Sequence, residues 1–219
     1  MIRTSMFAAL LLAAACGPSE AGTGETAIAA DAAVQQRPAP RPRNAQTALF
    51  AGGCFWSAER DVEAIPGVVE AVSGFAGGSV ANPGYERVVR GGTGHLEAVQ
   101  VTYDPARISY AQLVRRFLRT IDPTDSGGQY CDRGESYRTA IFALDPAQRR
   151  DALAAVAEAN RLLRGRVVTP VRAAARFYAA EAYHQDYARR NPGHYNRYRQ
   201  GCGKDARIRQ IWGAQASTH

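Results

Sequence analysis

The period of the hydrophobic positions changes along this chain, and the changes mark out its elements. Thr47 to Ala51 is a short apolar run closed by Gly52-Gly53, the signature of a buried strand ending in a tight turn. Trp56 to Ile65 reads as a helix, stopped by Pro66-Gly67. A valine-rich strand follows from Val68 to Phe75, then a glycine-rich loop from Gly77 to Gly94, then His95 to Tyr103, which alternates like a strand. Ser109 has the character of an N-cap, and behind it Tyr110, Leu113, Val114, Phe117, Leu118 and Ile121 recur at helical spacing. A polar loop from Asp122 to Ser136 leads to a strand over Tyr137 to Leu144. Asp145-Pro146 then opens a helix whose predicted core face is Ala152, Leu153, Val156, Ala157 and Leu163. Val167 to Val171 is a predicted strand. Ala180 to Arg190 is a predicted helix, ended by Asn191-Pro192-Gly193.

The order β-α-β-β-α-β-α-β-α predicts an α+β protein, a mixed-sheet α/β sandwich. Strands both alternate with helices and follow one another directly, which argues against a purely parallel doubly wound sheet.

The periodic pattern is absent before Thr47. Met1-Ile2-Arg3 is a short positive start, and Phe7 to Ala15 is an apolar run of signal-peptide length, too short to span a bilayer. It ends in Leu12-Ala13-Ala14-Ala15-Cys16-Gly17, which resembles a bacterial lipoprotein cleavage site; cleavage at an Ala-x-Ala site is the alternative. On the lipoprotein reading, residues 1–16 form the export signal and Cys16 becomes the lipidated first residue. Residues 17–46, rich in Ala, Gly, Pro and Thr, form an unpacked tether. The expected location is the periplasm, anchored to the outer membrane of a Gram-negative bacterium. The folded domain is then 47–213, with 214–219 as a tail.

Composition narrows the function classes. The chain has 219 residues and a formal charge of +7, with its basic residues thinly spread, so the dense Lys/Arg cluster that nucleic-acid binding requires is missing. Membrane contact is expected only through the anchor, and the domain is expected to be a monomer. Of four cysteines, removing Cys16 leaves Cys54, Cys131 and Cys202, an odd number that leaves at least one thiol free. There is no CxxC, and His95, His184, His194 and His219 offer no spaced metal site, so none is expected.

Two residues stand out for chemistry. Cys54 sits between a strand end and a helix start, where unpaired N–H groups and the helix dipole favour a thiolate; its pKa is expected to fall below about 8.5. The same residue also fits a small buried thiol packed behind two glycines. Glu97 shares a strand face with Val99, Val101 and Tyr103. If buried, it is raised to ~7 or above and becomes an acid able to donate a proton; if near the strand end, it simply faces water. Tyr85, Asp132 and Tyr137 lie in the flanking loops, and His184 reads as a packed core residue.

These residues lie within longer matches. Gly52-Gly53-Cys54-Phe55-Trp56, Asn82-Pro83-x-Tyr85, Gly94-His95-Leu96-Glu97-Ala98-Val99, Asp132-x-Gly134-x-x-Tyr137-Arg138 and Ala180-Glu181-x-Tyr183-His184-Gln185 occur in this order. Together they resemble the A-type peptide-methionine sulfoxide reductases over roughly Thr47 to Gly193. The resemblance implies an α+β sandwich with a ferredoxin-like core. It also implies reduction of methionine-S-sulfoxide, free or in oxidised proteins, with Cys54 as nucleophile and Glu97 as protonated acid. Tyr85 and Tyr137 then donate to the sulfoxide oxygen, Asp132 organises the site, and Phe55 and Trp56 receive the methyl group. Cys54 is left as a sulfenic acid, which a second cysteine and an external thioredoxin-like thiol reductant return to the thiol. No bound cofactor is implied.

The chain departs from the family pattern at the recycling end. Its cysteine after Asn191-Pro192 comes late, at Cys202, in a tail rich in Tyr and Arg, and Cys131 stands before Asp132, where many members carry Asn. Cys202 is the first candidate for the resolving thiol and Cys131 the second, and the two can also pair with each other. A binding module that kept only the pocket is expected to have lost some of the five site residues, and all are present. A thiol peroxidase differs in substrate: peroxide rather than sulfoxide.

Overall fold

The computed structural model describes residues 41–217; the expected export signal, Cys16 and most of the expected tether lie outside the described residues. Strands β1 (Gln46–Gly52), β2 (Val68–Ala76) and β3 (Leu96–Tyr103) and helices α1 (Phe55–Glu63) and α3 (Tyr110–Leu118) fall where the periodicity puts them, as do β6 (Thr139–Ala143) and α4 (Pro146–Leu162). Short elements were not legible: α2 (Tyr85–Val89) inside the glycine-rich loop, a hairpin of β4 (Gly128–Gln129) and β5 (Asp132–Arg133), and β8 (Phe177–Ala179).

The sheet order is β7-β6-β1-β3-β2-β8, where β7 is Val171–Ala173. Within it β6-β1-β3-β2 are all antiparallel neighbours, and α1 and α3 connect β1 to β2 and β3 to β6. This is the split β-α-β topology of the ferredoxin-like core. β7 adds to β6 in parallel, which makes the sheet mixed.

The capping signals act as read. Ser109 Oγ accepts from Gln112 N (3.3 Å) while Gln112 Oε1 accepts from Ser109 N (3.0 Å), a reciprocal pair that satisfies two helix-end donors. Asp145 Oδ1 accepts from Gln148 N at 2.8 Å, and Pro146 opens α4. The helical layer covers one sheet face, with Phe50 stacked on Phe117 at 4.5 Å between ring centres. Leu49, Leu96, Ala98 and Phe142 are buried on the opposite face under Leu144, Ala175 and Phe177. Central strands covered on both faces read as continuous apolar runs, which is why β1 gives no alternation.

Four expectations are corrected. The core face of α4 is Ala152, Ala155, Ala159 and Leu163, whereas Leu153 is 46% exposed and Ala157 is also exposed; small alanines let α4 lie close against α3. The seventh strand starts at Val171 rather than Val167, because Val167 N and Val168 N donate to Asn160 Oδ1 and Pro123 O instead of to the sheet. Of the helix predicted over Ala180 to Arg190, only α5 (Tyr187–Arg190) forms. Its first half is a series of turns anchored to β2: Ala180 N donates to Ser73 O, Ser73 N donates to Gln185 Oε1, and Asp186 takes a left-handed φ of 55°. Finally, Asn191-Pro192 does not end helical structure. Pro192 occupies the first turn of α6 (Pro192–Gly201), where its missing N–H costs nothing, and α7 (Lys204–Trp212) follows. The chain beyond stays packed, with Ser217 N donating to Arg119 O.

Candidate active site

Cys54 is the N-cap of α1 and follows Gly53, whose φ of +81° and close approach to Gln129 exclude a Cβ: one built there lies 2.5 Å from Gln129 Cβ. The turn therefore delivers the thiol to the open end of β1 beside β3. The N–H groups of the first helical turn do not all serve the thiol. Phe55 N donates to Glu97 Oε2 at 2.9 Å, so the carboxyl of Glu97 caps the helix in the thiolate's place.

This changes the electrostatics read from the sequence. The Cys54 thiol is pushed up, not down: burial is the largest cause, and the carboxylates of Glu97 and Asp132 add to it. Hydrogen bonds from Tyr198 and from Trp56 N oppose the shift without overcoming it. Desolvation outweighs the helix end here: Phe55 N is taken by Glu97, and the bond from Trp56 N is too weak to offset burial. Cys54 thus rests as a thiol, and it is the one free cysteine among the described residues.

Glu97 is buried, with 1% of its surface exposed, and pairs across the sheet with Phe75. Burial raises its pKa to about 8, against the pull of the Phe55 N–H and with a further push from Asp132. At neutral pH the group is mostly protonated. The strand-end reading, in which it faces water, is excluded.

Tyr85 and Tyr137 meet over the same spot, the Tyr137 hydroxyl donating to the Tyr85 oxygen. Burial and the Glu97 carboxyl push both phenols up, Tyr85 to about 12, so both keep their protons. Tyr85 is fixed by its backbone, whose N–H donates to Glu181 Oε1 at 2.9 Å.

The aromatic wall is built from distant parts of the chain. Trp56 stacks on Tyr187 at 3.7 Å with planes 6° apart, and its Nε1–H donates to His184 Nδ1 at 2.9 Å. That bond assigns the proton of His184 to Nε2, and burial lowers the pKa of the ring, so it stays neutral. Phe55 is fully buried between Phe75, His184 and Tyr85. His184 is therefore a buried residue, as read, but one that aims the indole.

The C-terminal helices close the site. Asp61, fully buried, receives Arg199 Nη1 at 2.8 Å and Lys204 Nζ at 2.9 Å, and Arg199 also pairs with Asp205 at 2.6 Å. Tyr195 Oη donates to Ser57 Oγ, tying α6 to α1. This lock places Tyr198 edge-on to Trp56 with its hydroxyl donating to Asp132 Oδ2. Sequence reasoning missed Tyr198. The available signal was the spacing of Tyr195, Tyr198 and Cys202 on one helical face once Pro192 is taken as a helix start.

Cys131 and Cys202 are joined in a disulfide, their Cα atoms 5.0 Å apart across 71 residues of sequence. Cys202 caps the end of α6 and is not in a flexible tail. The structure brings together Cys54, Glu97, Tyr85, Tyr137, Asp132, Phe55 and Trp56, while neither Cys131 nor Cys202 is bonded to Cys54.

Comparison with known proteins supports the same grouping. The family model described as "Peptide methionine sulfoxide reductase" matches residues 46–216. The chain is 51% identical over 176 residues to peptide methionine sulfoxide reductase MsrA 2 of Rhizobium meliloti (strain 1021), covering 80% of this chain and 88% of that one. It is also 51% identical over 177 residues to the MsrA 2 protein of Caulobacter vibrioides, covering 80% and 90% of the two chains. Among solved structures, methionine sulfoxide reductase A of Corynebacterium diphtheriae superposes with a TM-score of 0.65 at 34% identity, over 69% of this chain and 77% of that one. Reduced Mxr1 from Saccharomyces cerevisiae gives 0.65 at 30% identity, over 69% and 88%. A match spanning the whole described domain, with the acid, the thiol and the two phenols converged, establishes that this chain belongs to the peptide methionine sulfoxide reductase family, as an enzyme of its MsrA branch.

Proposed function

We propose that this enzyme reduces the S epimer of methionine sulfoxide, free and in oxidised proteins, with Cys54 as the nucleophile. The observation that carries the reading is Glu97: a buried carboxyl, mostly protonated at neutral pH, bonded to the N–H that follows Cys54. A sulfoxide oxygen is a poor leaving group, and a neutral acid flanked by two phenols supplies what it needs. Glu97 gives the proton, and Tyr85 and Tyr137 hold the oxygen by donation. Phe55 and Trp56 take the methyl group, since a soft thioether packs well against aromatic rings. Oxygen passes to Cys54, two electrons pass to the substrate sulfur, and methionine leaves a sulfenic acid behind.

Recycling uses Cys131 and Cys202 as a dithiol. One thiol attacks the sulfenic sulfur and expels water, and the other displaces Cys54 to close the Cys131–Cys202 disulfide seen here. An external thioredoxin-like dithiol then reduces that bond. Access is supported by a groove of about 500 Å³ lined by Cys202 with Asp122, Asp125, Tyr130 and Arg207. No bound cofactor enters the scheme. The apolar run ending at Cys16 further supports export and attachment to the outer membrane through that residue, with the enzyme working as a monomer in the periplasm on oxidised exported proteins.

The test is consumption of each sulfoxide epimer with dithiothreitol as reductant. The S epimer disappears and the R epimer persists, and Cys54→Ser abolishes turnover. Peroxide consumption without loss of either epimer would assign a thiol peroxidase instead.

A further inference from the structure

Cys54 has to lose a proton as it attacks, and most of its neighbours cannot take one. Glu97 is itself protonated, and Tyr85 and Tyr137 are phenols held up by burial. Asp132 is the remaining carboxylate that acts on the sulfur. Tyr198 stands between them. Its hydroxyl bonds to the Cys54 thiol on one side and to Asp132 Oδ2 on the other. Its ring is fixed edge-on against Trp56, centroids 6.2 Å apart. The three groups come from α1, α6 and β5, so the row exists only when the C-terminal helices are docked.

A phenol has one proton. At rest the Tyr198 O–H donates to Asp132, which leaves the Tyr198 oxygen to accept the Cys54 S–H; once the sulfur is a thiolate the phenol donates to it instead, the bond that lowers the Cys54 pKa. Burial pushes Asp132 above the usual carboxylate range, which makes it the more basic as a proton acceptor, while the Tyr198 hydrogen bond and Lys204 pull back toward the ionised form. We propose that Tyr198 is a catalytic residue that relays the Cys54 proton to Asp132, which makes Asp132 the general base of the reaction. As the sulfur attacks, its proton moves to the Tyr198 oxygen and the Tyr198 hydroxyl proton moves to Asp132. Meanwhile Glu97 gives its proton to the transferred oxygen. The products are methionine and a Cys54 sulfenic acid, with Asp132 protonated and Glu97 ionised until solvent exchanges the one proton between them. The relay rests on the reading of Cys54 as the nucleophile toward a sulfoxide.

The experiment is single-turnover methionine formation by the full chain, wild type against Tyr198→Phe, Asp132→Asn and the double variant. Phe keeps the ring packing and removes only the hydroxyl. The relay predicts a ~10²-fold loss at neutral pH for each single variant, with the double no slower than either. It also predicts that the variants gain on the wild type between about pH 6 and about pH 8, where hydroxide replaces the relay, while the wild type falls about two-fold as Glu97 ionises near 8. The groups that set this window are Glu97, Tyr85, Asp132 and Tyr198 around the thiol, and Lys204, Tyr137 and Tyr198 around Asp132. A Tyr198→Phe rate within about two-fold of wild type, or losses that multiply in the double variant, overturns the relay. A wild type that forms no methionine overturns instead the reading of Cys54 on which it rests.

Discussion

Glu97 carries two opposite consequences, one for stability and one for chemistry. Its carboxyl ionises near 4.5 in the unfolded chain and at about 8 in the folded one. Below the unfolded value both states hold the proton, and its contribution to stability is complete. As pH rises toward about 8, only the folded state holds it, so folding must take up a proton and that contribution is lost. Glu97→Gln removes the titration while its side-chain oxygen still accepts from Phe55 N. The variant should match wild type near the unfolded pKa and exceed it at higher pH, gaining on the order of 1 kcal/mol per pH unit across the window in urea denaturation. The same variant should lose ~10²-fold or more in single-turnover rate, because an amide supplies no proton. An equal stability difference at both ends of the window contradicts the buried-acid assignment. Glu97 was legible in the sequence because a carboxylate on an apolar strand face is anomalous. The direction of the Cys54 shift was not, because it is set by burial and by the Glu97 carboxyl, and that group lies more than forty residues along the chain.

At the scale of elements, the periodic segments were legible and the local exceptions were not. α3 and α4 announce themselves through Ser109 and Asp145, whose caps are local chemistry. The Ala180–Asp186 stretch has helical composition but gives its hydrogen bonds to Ser73 and Glu59, a tertiary preference that propensity cannot register. The opposite case is α6 and α7, whose low apolar content hides them. They are held instead by the buried Asp61, Arg199 and Lys204 cluster. Asp61→Asn leaves Lys204 without its counter-charge and should cost ~3–5 kcal/mol, read as a lower urea midpoint at unchanged slope. A change below about 1 kcal/mol contradicts the lock, because it is the size expected of a surface pair.

The whole molecule assembles its site from three regions of sequence. The ferredoxin-like core presents Cys54 and Glu97 on neighbouring strand ends, the segments between β2 and β3 and between β4 and β6 bring Tyr85, Asp132 and Tyr137, and the C-terminal helices add Tyr187, Tyr198 and Cys202. The first two regions carry recognisable motifs. The third does not, and it is where this chain places both a second disulfide partner and a phenol against Cys54. The proposed cycle runs along one path, in which oxygen is taken by Cys54 and the oxidation is handed to Cys131 and Cys202. The direct measurement is to reduce the chain fully, remove the reductant, add one equivalent of methionine-S-sulfoxide, and map products and cysteines by mass spectrometry. The expected result is one methionine per chain, a Cys131–Cys202 disulfide and Cys54 recovered as the thiol. Methionine formed while Cys131 and Cys202 both remain thiols, or no methionine at all, contradicts it.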